Sequence, residues 1–264
     1  MRRALSLAVF AAATTIVSCT DVTGEPGVPL AISFDSLPAP SVAAGDTMRD
    51  TLGAAVPLRA QVFDGEGDEL EDADVVFVAT TRGEALRTVN DVLPQDYVVA
   101  RPDTFRDQVQ IVAQIGNLQS IPRSLDVVRA PALLQAEGPT ALELNYRADV
   151  DTTSGNLRVR VAWDSSGTIR GVKSWLVRFA IVYPQVAPAD TGAAVFLVTD
   201  STSLRRDRID TTATDGIASR AVRIRPAKLA ATPVDSVVVE ARATYRAPLI
   251  GSPTRFVIRF RPRP

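Results

Sequence analysis

Three groups of side chains in this sequence could do chemistry: a lone cysteine, a dense run of carboxylates, and arginines spaced two apart. Cys19 is the only cysteine, and histidine is absent from the 264 residues. Ser-His-Asp and Cys-His nucleophile systems need an imidazole base, and zinc sites draw on histidine and cysteine, so composition sets both chemistries aside. With one thiol, no disulfide can form within the chain. Lys173 and Lys228 are the only lysines, and neither follows a serine by three, the spacing of a lysine-assisted serine nucleophile.

The carboxylates are densest in "DGEGDELED", residues 64–72, where Asp64, Glu66 and Asp68 alternate as oxygen ligands for calcium would. An EF-hand register laid over this stretch puts Glu69 where glycine is required and Val75 where the last glutamate belongs. The acids read instead as a solvated hairpin loop that keeps a sheet edge from pairing with neighbours. Glycoside hydrolysis needs two acids facing each other across a cleft, and no stretch singles out such a pair. An enzyme would reveal itself by a cleft with convergent acids. The sequence leads us to expect no catalytic residue, cofactor or metal, and no nucleic-acid partner.

The elements that must position these groups are almost all strands. "LRAQVF" puts Leu58, Ala60 and Val62 on one face, and "QVQIVAQI" sets Val109, Ile111, Ala113 and Ile115 against Gln108, Gln110 and Gln114. "LRVRVAW", "VVVEARATY" and "RFVIRFR" repeat the alternation in the second half. Period two with one wet face marks antiparallel sheet, and no segment offers an amphipathic helix longer than a turn or two. Many short strands separated by turn residues predict an all-β chain of two tandem antiparallel β-sandwiches, each of about seven strands.

On this reading Arg158, Arg160, Arg242, Arg255, Arg259 and Arg261 all fall on wet faces. Arginine pairs bidentately with carboxylate and phosphate, so a shared arginine surface could hold an anionic glycan, lipid phosphates or an acidic protein surface. The blander alternative is that the arginines guard exposed strands and cover apolar neighbours with their stems. Charge is divided along the chain. Residues 20–132 carry 8 basic and 18 acidic side chains, a net −10, and residues 133–264 carry 19 and 12, a net +7.

"QVFDGEGDELEDADVVF" and "RVAWDSSGTIRGVKSWLVRF" form a weak internal repeat. Each has an alternating strand, an aspartate three residues before a glycine (Asp64 and Gly67, Asp164 and Gly167), then a strand with a phenylalanine, Phe77 or Phe179. Aspartate closes such a turn with its side chain and glycine supplies positive φ. The pattern resembles bacterial immunoglobulin-like domains of the invasin and intimin type, as does "TATDGIASRAVRI" at residues 212–224; the first half has "NDVLPQDYVVA" in its place. The resemblance implies two immunoglobulin-like sandwiches, at 30–130 and 140–264, joined by a linker at 131–139.

Ahead of them, Arg2 and Arg3 precede a mostly apolar stretch of secretory length, too short to span a bilayer comfortably. "Ile16-Val17-Ser18-Cys19" resembles the lipobox of bacterial lipoproteins. The resemblance implies a signal peptide over 1–18, cleaved after Ser18, and a diacylglycerol on the Cys19 thiol. The alternatives are a free buried thiol or an incidental cysteine in an ordinary signal. One acyl chain holds only marginally at about 0.8 kcal/mol per methylene, whereas two or three hold stably. Thr20 stands where an aspartate would retain the protein at the inner membrane, which leans toward the outer one. Residues 19–29 then read as the lipidated cysteine and a flexible tether, whose ten residues after Cys19 reach about 33 Å if extended. The expected partner of Cys19 is therefore the lipid bilayer. Cys19→Ser should leave an uncleaved or released protein; full partition of the variant with membranes after a carbonate wash would show that the anchor lies elsewhere.

Overall fold

Alternation in the sequence becomes alternation in burial. Leu58 and Val62, then Val109, Ile111 and Ala113, are buried in the first half, and Leu157, Val159, Val161, Val237, Val239, Ala241 and Ala243 in the second. The computed structural model describes residues 25–87, 96–105, 108–185, 192–200, 202, 205–229, 234–246 and 250–263. Cys19, the stretch 1–18 and most of the tether lie outside the described residues. Among the described residues no helix is long and apolar enough to cross a membrane.

The first half contains β1 (Ala31–Ser33), β2 (Ser41–Ala43), β3 (Gln61–Phe63), β4 (Val76–Thr81), β5 (Gln108–Ile115), β6 (Leu118–Gln119) and β7 (Arg123–Val128). Its opening segment serves two sheets. β1 pairs antiparallel with β3, and β2 then crosses over to pair parallel with β7, which continues through β5 to β4. Bridges from Val99 to Thr47 and from Ala100 to Leu86 add strand-like partners to the core. Only part of "NDVLPQDYVVA", from residue 96 onward, falls within the described residues.

The second half contains β8 (Leu133–Ala136), β9 (Ala141–Tyr146), β10 (Thr152–Thr153), β11 (Leu157–Ser165), β12 (Thr168–Gly171), β13 (Leu176–Tyr183), β14 (Val195–Val198), β15 (Ile209–Thr211), β16 (Ile217–Ile224), β17 (Ser236–Arg242) and β18 (Thr254–Pro262). The opening segment is split again. β8 pairs antiparallel with β11, and β9 pairs parallel with the last strand, β18. One sheet centres on β11 and β16; the other runs β15-β13-β17-β18-β9. This shared splitting of the first strand makes the two halves copies of one immunoglobulin-like sandwich plan. The stretch expected as a linker, 131–139, is corrected in part, because Leu133–Ala136 is strand β8. Its flanking Pro131, Gly138 and Pro139 gave the stretch the look of a loop, but its two leucines are half-buried and dock on β11.

The repeated turn follows the same strand in both copies, β3 and β11. Gly67 and Gly167 have φ of +89° and +88°. Asp64 Oδ1 accepts the N–H groups of Glu66 and Asp68, and Asp164 Oδ1 accepts that of Gly167. Phe77 on β4 and Phe179 on β13 are both buried.

Two carboxylates from the first sandwich tie it to the second. Asp126 on β7 accepts Lys173 Nζ at 2.7 Å and Ser174 Oγ at 2.6 Å. Asp46, 6% exposed, accepts Arg49 Nε at 2.9 Å, its own neighbour's N–H at Thr47, and Arg246 Nε at 3.1 Å from the second sandwich. Ser41 Oγ donates to the Ser174 carbonyl, and Thr244 Oγ1 to that of Thr51. Apolar contact accompanies these bonds: Ala43 and Val128 join the second core, and Leu176 packs on the first.

Two glycines meet where β12 and β16 share one edge of β11. Val172 N–H bonds the Val161 carbonyl, and Val161 N–H bonds that of Gly216. A Cβ on Gly171 would lie 2.0 Å from the Asp215 carbonyl oxygen, and one on Gly216, at φ +81°, 2.5 Å from that of Val161. Both obstacles are backbone. Gly171→Ala is expected to cost about 2–4 kcal/mol in urea unfolding. At Gly67, where an added Cβ meets nothing, alanine should cost only the left-handed penalty of about 1–2 kcal/mol.

Candidate functional site

The arginines that alternation places on wet faces separate onto two sheets. Arg158 and Arg160 lie on β11, whereas Arg242 lies on β17 and Arg255, Arg259 and Arg261 lie on β18, in the opposite sheet. The six therefore form two groups, Arg242, Arg255, Arg259 and Arg261 on adjacent strands of one sheet and Arg158 and Arg160 on the other. Period two fixes which side of its own sheet a residue takes, but not which sheet of the sandwich its strand joins. Arg160 pairs with Glu137 at 3.0 Å, and Arg158 is exposed beside it on the same strand.

The outer face of the β13-β17-β18-β9 sheet is the denser site. In register, Arg178 on β13 stands opposite Arg242, Glu240 opposite Arg255, and Arg259 between Ser236 and Glu143. Alternation puts Glu240 on the wet side, yet it is 2% exposed because two arginines cover it. Arg255 Nε donates to Glu240 Oε1 at 2.7 Å, and Arg242 Nε to Oε2 at 3.0 Å. A buried carboxylate is tolerated only when paired in this way. The Arg242 hydrogen bond holds the Glu240 carboxyl below its usual range against the opposing effect of burial, with Arg255 assisting.

Arg261 reaches Glu143 at 3.3 Å on the exposed rim. Arg178 and Arg259 are exposed and make no side-chain hydrogen bond or ion pair among the described residues. The face thus presents five arginines against Glu240 and Glu143. Arg178 directly opposite Arg242 is a like-charge cross-strand pair, which opposes folding. Sequence reasoning missed Arg178 because "SWLVRFAIVY" is apolar on both faces; only the register with Arg242 reveals its side.

The acidic cluster resolves differently. Asp64 spends its carboxylate on backbone N–H groups, that of Gly27 at 3.0 Å and those within its own turn, and these hold it below the usual range, the Gly27 bond foremost. An open groove of about 870 Å³ in the first sandwich is lined in part by Asp35, Glu69, Asp74, Asp96 and Arg59. All four acids are exposed, and Asp35 and Glu69 accept bonds from Ser33 and Gln61.

No family model and no curated protein sequence matches the chain. Among solved structures, a protein of unknown function from Porphyromonas gingivalis W83 is 12% identical, covering 88% of this chain and 99% of its own, with a TM-score of 0.29. The Yersinia pseudotuberculosis adhesin InvE is 14% identical over 84% of this chain and 56% of its own, at 0.31. The D00-D0 domain of intimin is 12% identical over 87% and 98%, at 0.27. TM-scores this low carry neither fold nor function to this chain, and the fold rests on the strand order.

Glu240 and Asp46 both have folded-state pKa values below the ordinary one. At Asp46, burial pushes the carboxyl up, but hydrogen bonds from Arg49, the Thr47 N–H and Arg246 outweigh it. A depressed folded pKa contributes stability that is present above the unfolded value, about 4, and lost as pH falls through the folded one. Thermal melts should therefore be flat from neutrality to about pH 5 and fall below about pH 4. Glu240→Gln should lose about 1–2 kcal/mol at pH 7, because its arginines keep water on their outer edges, and should show a shallower acid limb.

Proposed function

We propose that the chain is a lipid-anchored envelope module without catalysis: two immunoglobulin-like domains, 30–130 and 140–264, exported and held to the bacterial membrane, the outer one in a diderm cell, through acylated Cys19. Its β13-β17-β18 face engages an anionic surface, a polysaccharide or an acidic protein. The observation that carries this reading is the uncompensated Arg178 and Arg259 beside a like-charged Arg178–Arg242 pair. Such a face loses stability to self-repulsion and regains it when an anion binds.

A second reading, a spacer that holds other envelope parts apart, is favoured by the side-chain bonds at Asp46 and Asp126, which hold the two sandwiches in one relative placement. An accessory role beside a carbohydrate-active or envelope enzyme would use the same arginine face. Retention of the full chain on heparin and on lipopolysaccharide, at low and physiological salt, separates the readings. The anion-binding module should be retained at low salt and released as screening shortens to about 8 Å. Arg178→Glu combined with Arg259→Glu should lower the salt at which the chain is released, without loss of fold, since neither arginine is ion-paired within the sheet. A wild-type chain that passes both columns at low salt would leave the spacer reading.

A further inference from the structure

A second cationic site lies where the sandwiches meet, on different strands from the arginine face. A cleft of about 360 Å³ is lined by Phe105, Val127, Val128 and Arg129 from the first sandwich side and by Trp163, Arg170, Lys173 and Thr214 from the second. The guanidinium carbon of Arg129 sits 3.7 Å from the centroid of the Phe105 ring and 5.1 Å from that of Trp163. Aromatic contact on the flat face of a guanidinium fixes its plane and leaves the edge N–H groups directed outward. Those donors have no acceptor among the described residues, and Arg129 is exposed.

Neighbouring charge adds to this fork. Arg170 stands opposite Trp163 in the β11–β12 register, is exposed, and has no side-chain partner among the described residues. Lys173 is compensated by Asp126, whose second oxygen accepts Ser174. The cleft therefore keeps two unneutralised guanidinium groups, and its floor is apolar, with Val128 and Val172 buried. Preorganised donors hold an anion at lower entropic cost than a mobile side chain does, and the arginine fork matches the paired oxygens of carboxylate or phosphate.

We propose that this junction cleft binds an acidic sugar unit, its carboxylate or phosphate on the edge of Arg129 and Arg170 and its ring against the Trp163 and valine wall. The volume suits one or two sugar rings. Because both sandwiches line the cleft, the bound unit bridges them and raises the temperature at which the whole chain unfolds. The site does not depend on the arginine face, and either can fail without the other.

The test is titration calorimetry with the full chain at low salt against three probes: trigalacturonic acid, glucose 6-phosphate and the uncharged maltotriose. One or both acidic probes should bind saturably and raise the melting temperature, and which one does so identifies the oxyanion. Maltotriose should not bind. Arg129→Lys keeps the charge but removes the fork and should weaken binding about tenfold or more; Arg170→Ala should weaken it several-fold. Arg259→Glu, on the arginine face, should leave it unchanged. Equal binding of maltotriose, undiminished binding by Arg129→Lys, loss of binding in Arg259→Glu, or no saturable binding of either acidic probe at millimolar concentration would each overturn the proposal.

Discussion

The arrangement of the molecule depends on two carboxylates buried between the sandwiches, Asp46 and Asp126. Removing a charge from water costs several kcal/mol, and the cost is recovered only when donors arrive in the right places. Here the second sandwich supplies both donors for Asp126, Lys173 and Ser174, and adds Arg246 to the Arg49 and Thr47 donors that Asp46 has from its own sandwich. The apolar contacts at the junction, Ala43 and Val128 with one core and Leu176 with the other, would tolerate a range of tilts. The ionic bonds do not. A shift of a few ångströms would leave Asp126 buried without either of its donors and Asp46 without its third, so these bonds choose one placement from those that apolar packing alone allows.

That placement creates surfaces which neither sandwich has by itself. The cleft at Arg129 exists because β7 ends beside the β11–β12 hairpin, bringing Phe105 and Trp163 to one guanidinium. Lys173 sits in the cleft wall and also holds Asp126, so the residue that fixes the junction borders the site the junction forms. The arginine face belongs to the second sandwich alone and is organised by a different buried acid. Glu240 gathers Arg242 and Arg255 over itself and offsets one of their two charges, while Arg178 and Arg259 remain uncompensated. In both places a buried carboxylate orders cations, and the excess cations face outward. The division of charge, net −10 over residues 20–132 and +7 over residues 133–264, has this local form.

Much of the architecture was legible in the sequence because its signals are local. Period-two alternation sorts inward from outward residues within each strand, and the Asp64–Gly67 and Asp164–Gly167 turns follow from side-chain bonding and positive φ within four residues. Those signals were enough to identify an all-β chain with a repeated plan. Strand β8 was hidden because four residues between prolines and a glycine carry too short a pattern to separate a strand from a linker, and only pairing with β11 reveals it.

The candidate sites were legible only in part, for the same physical reason. Alternation correctly turned Arg242, Arg255, Arg259 and Arg261 toward solvent, but it could not report that Arg158 and Arg160 belong to the opposite sheet, since which strands pair is decided over separations of tens of residues. Arg178 was invisible in a strand apolar on both faces, and Glu240 looked solvated until Arg255, fifteen residues away, closed over it. The sequence by itself determined the strand character, the turns and the kinds of charge available. Tertiary structure alone decided which charges meet, because hydrogen bonds such as Arg246 to Asp46 join residues 200 apart that no local pattern can relate.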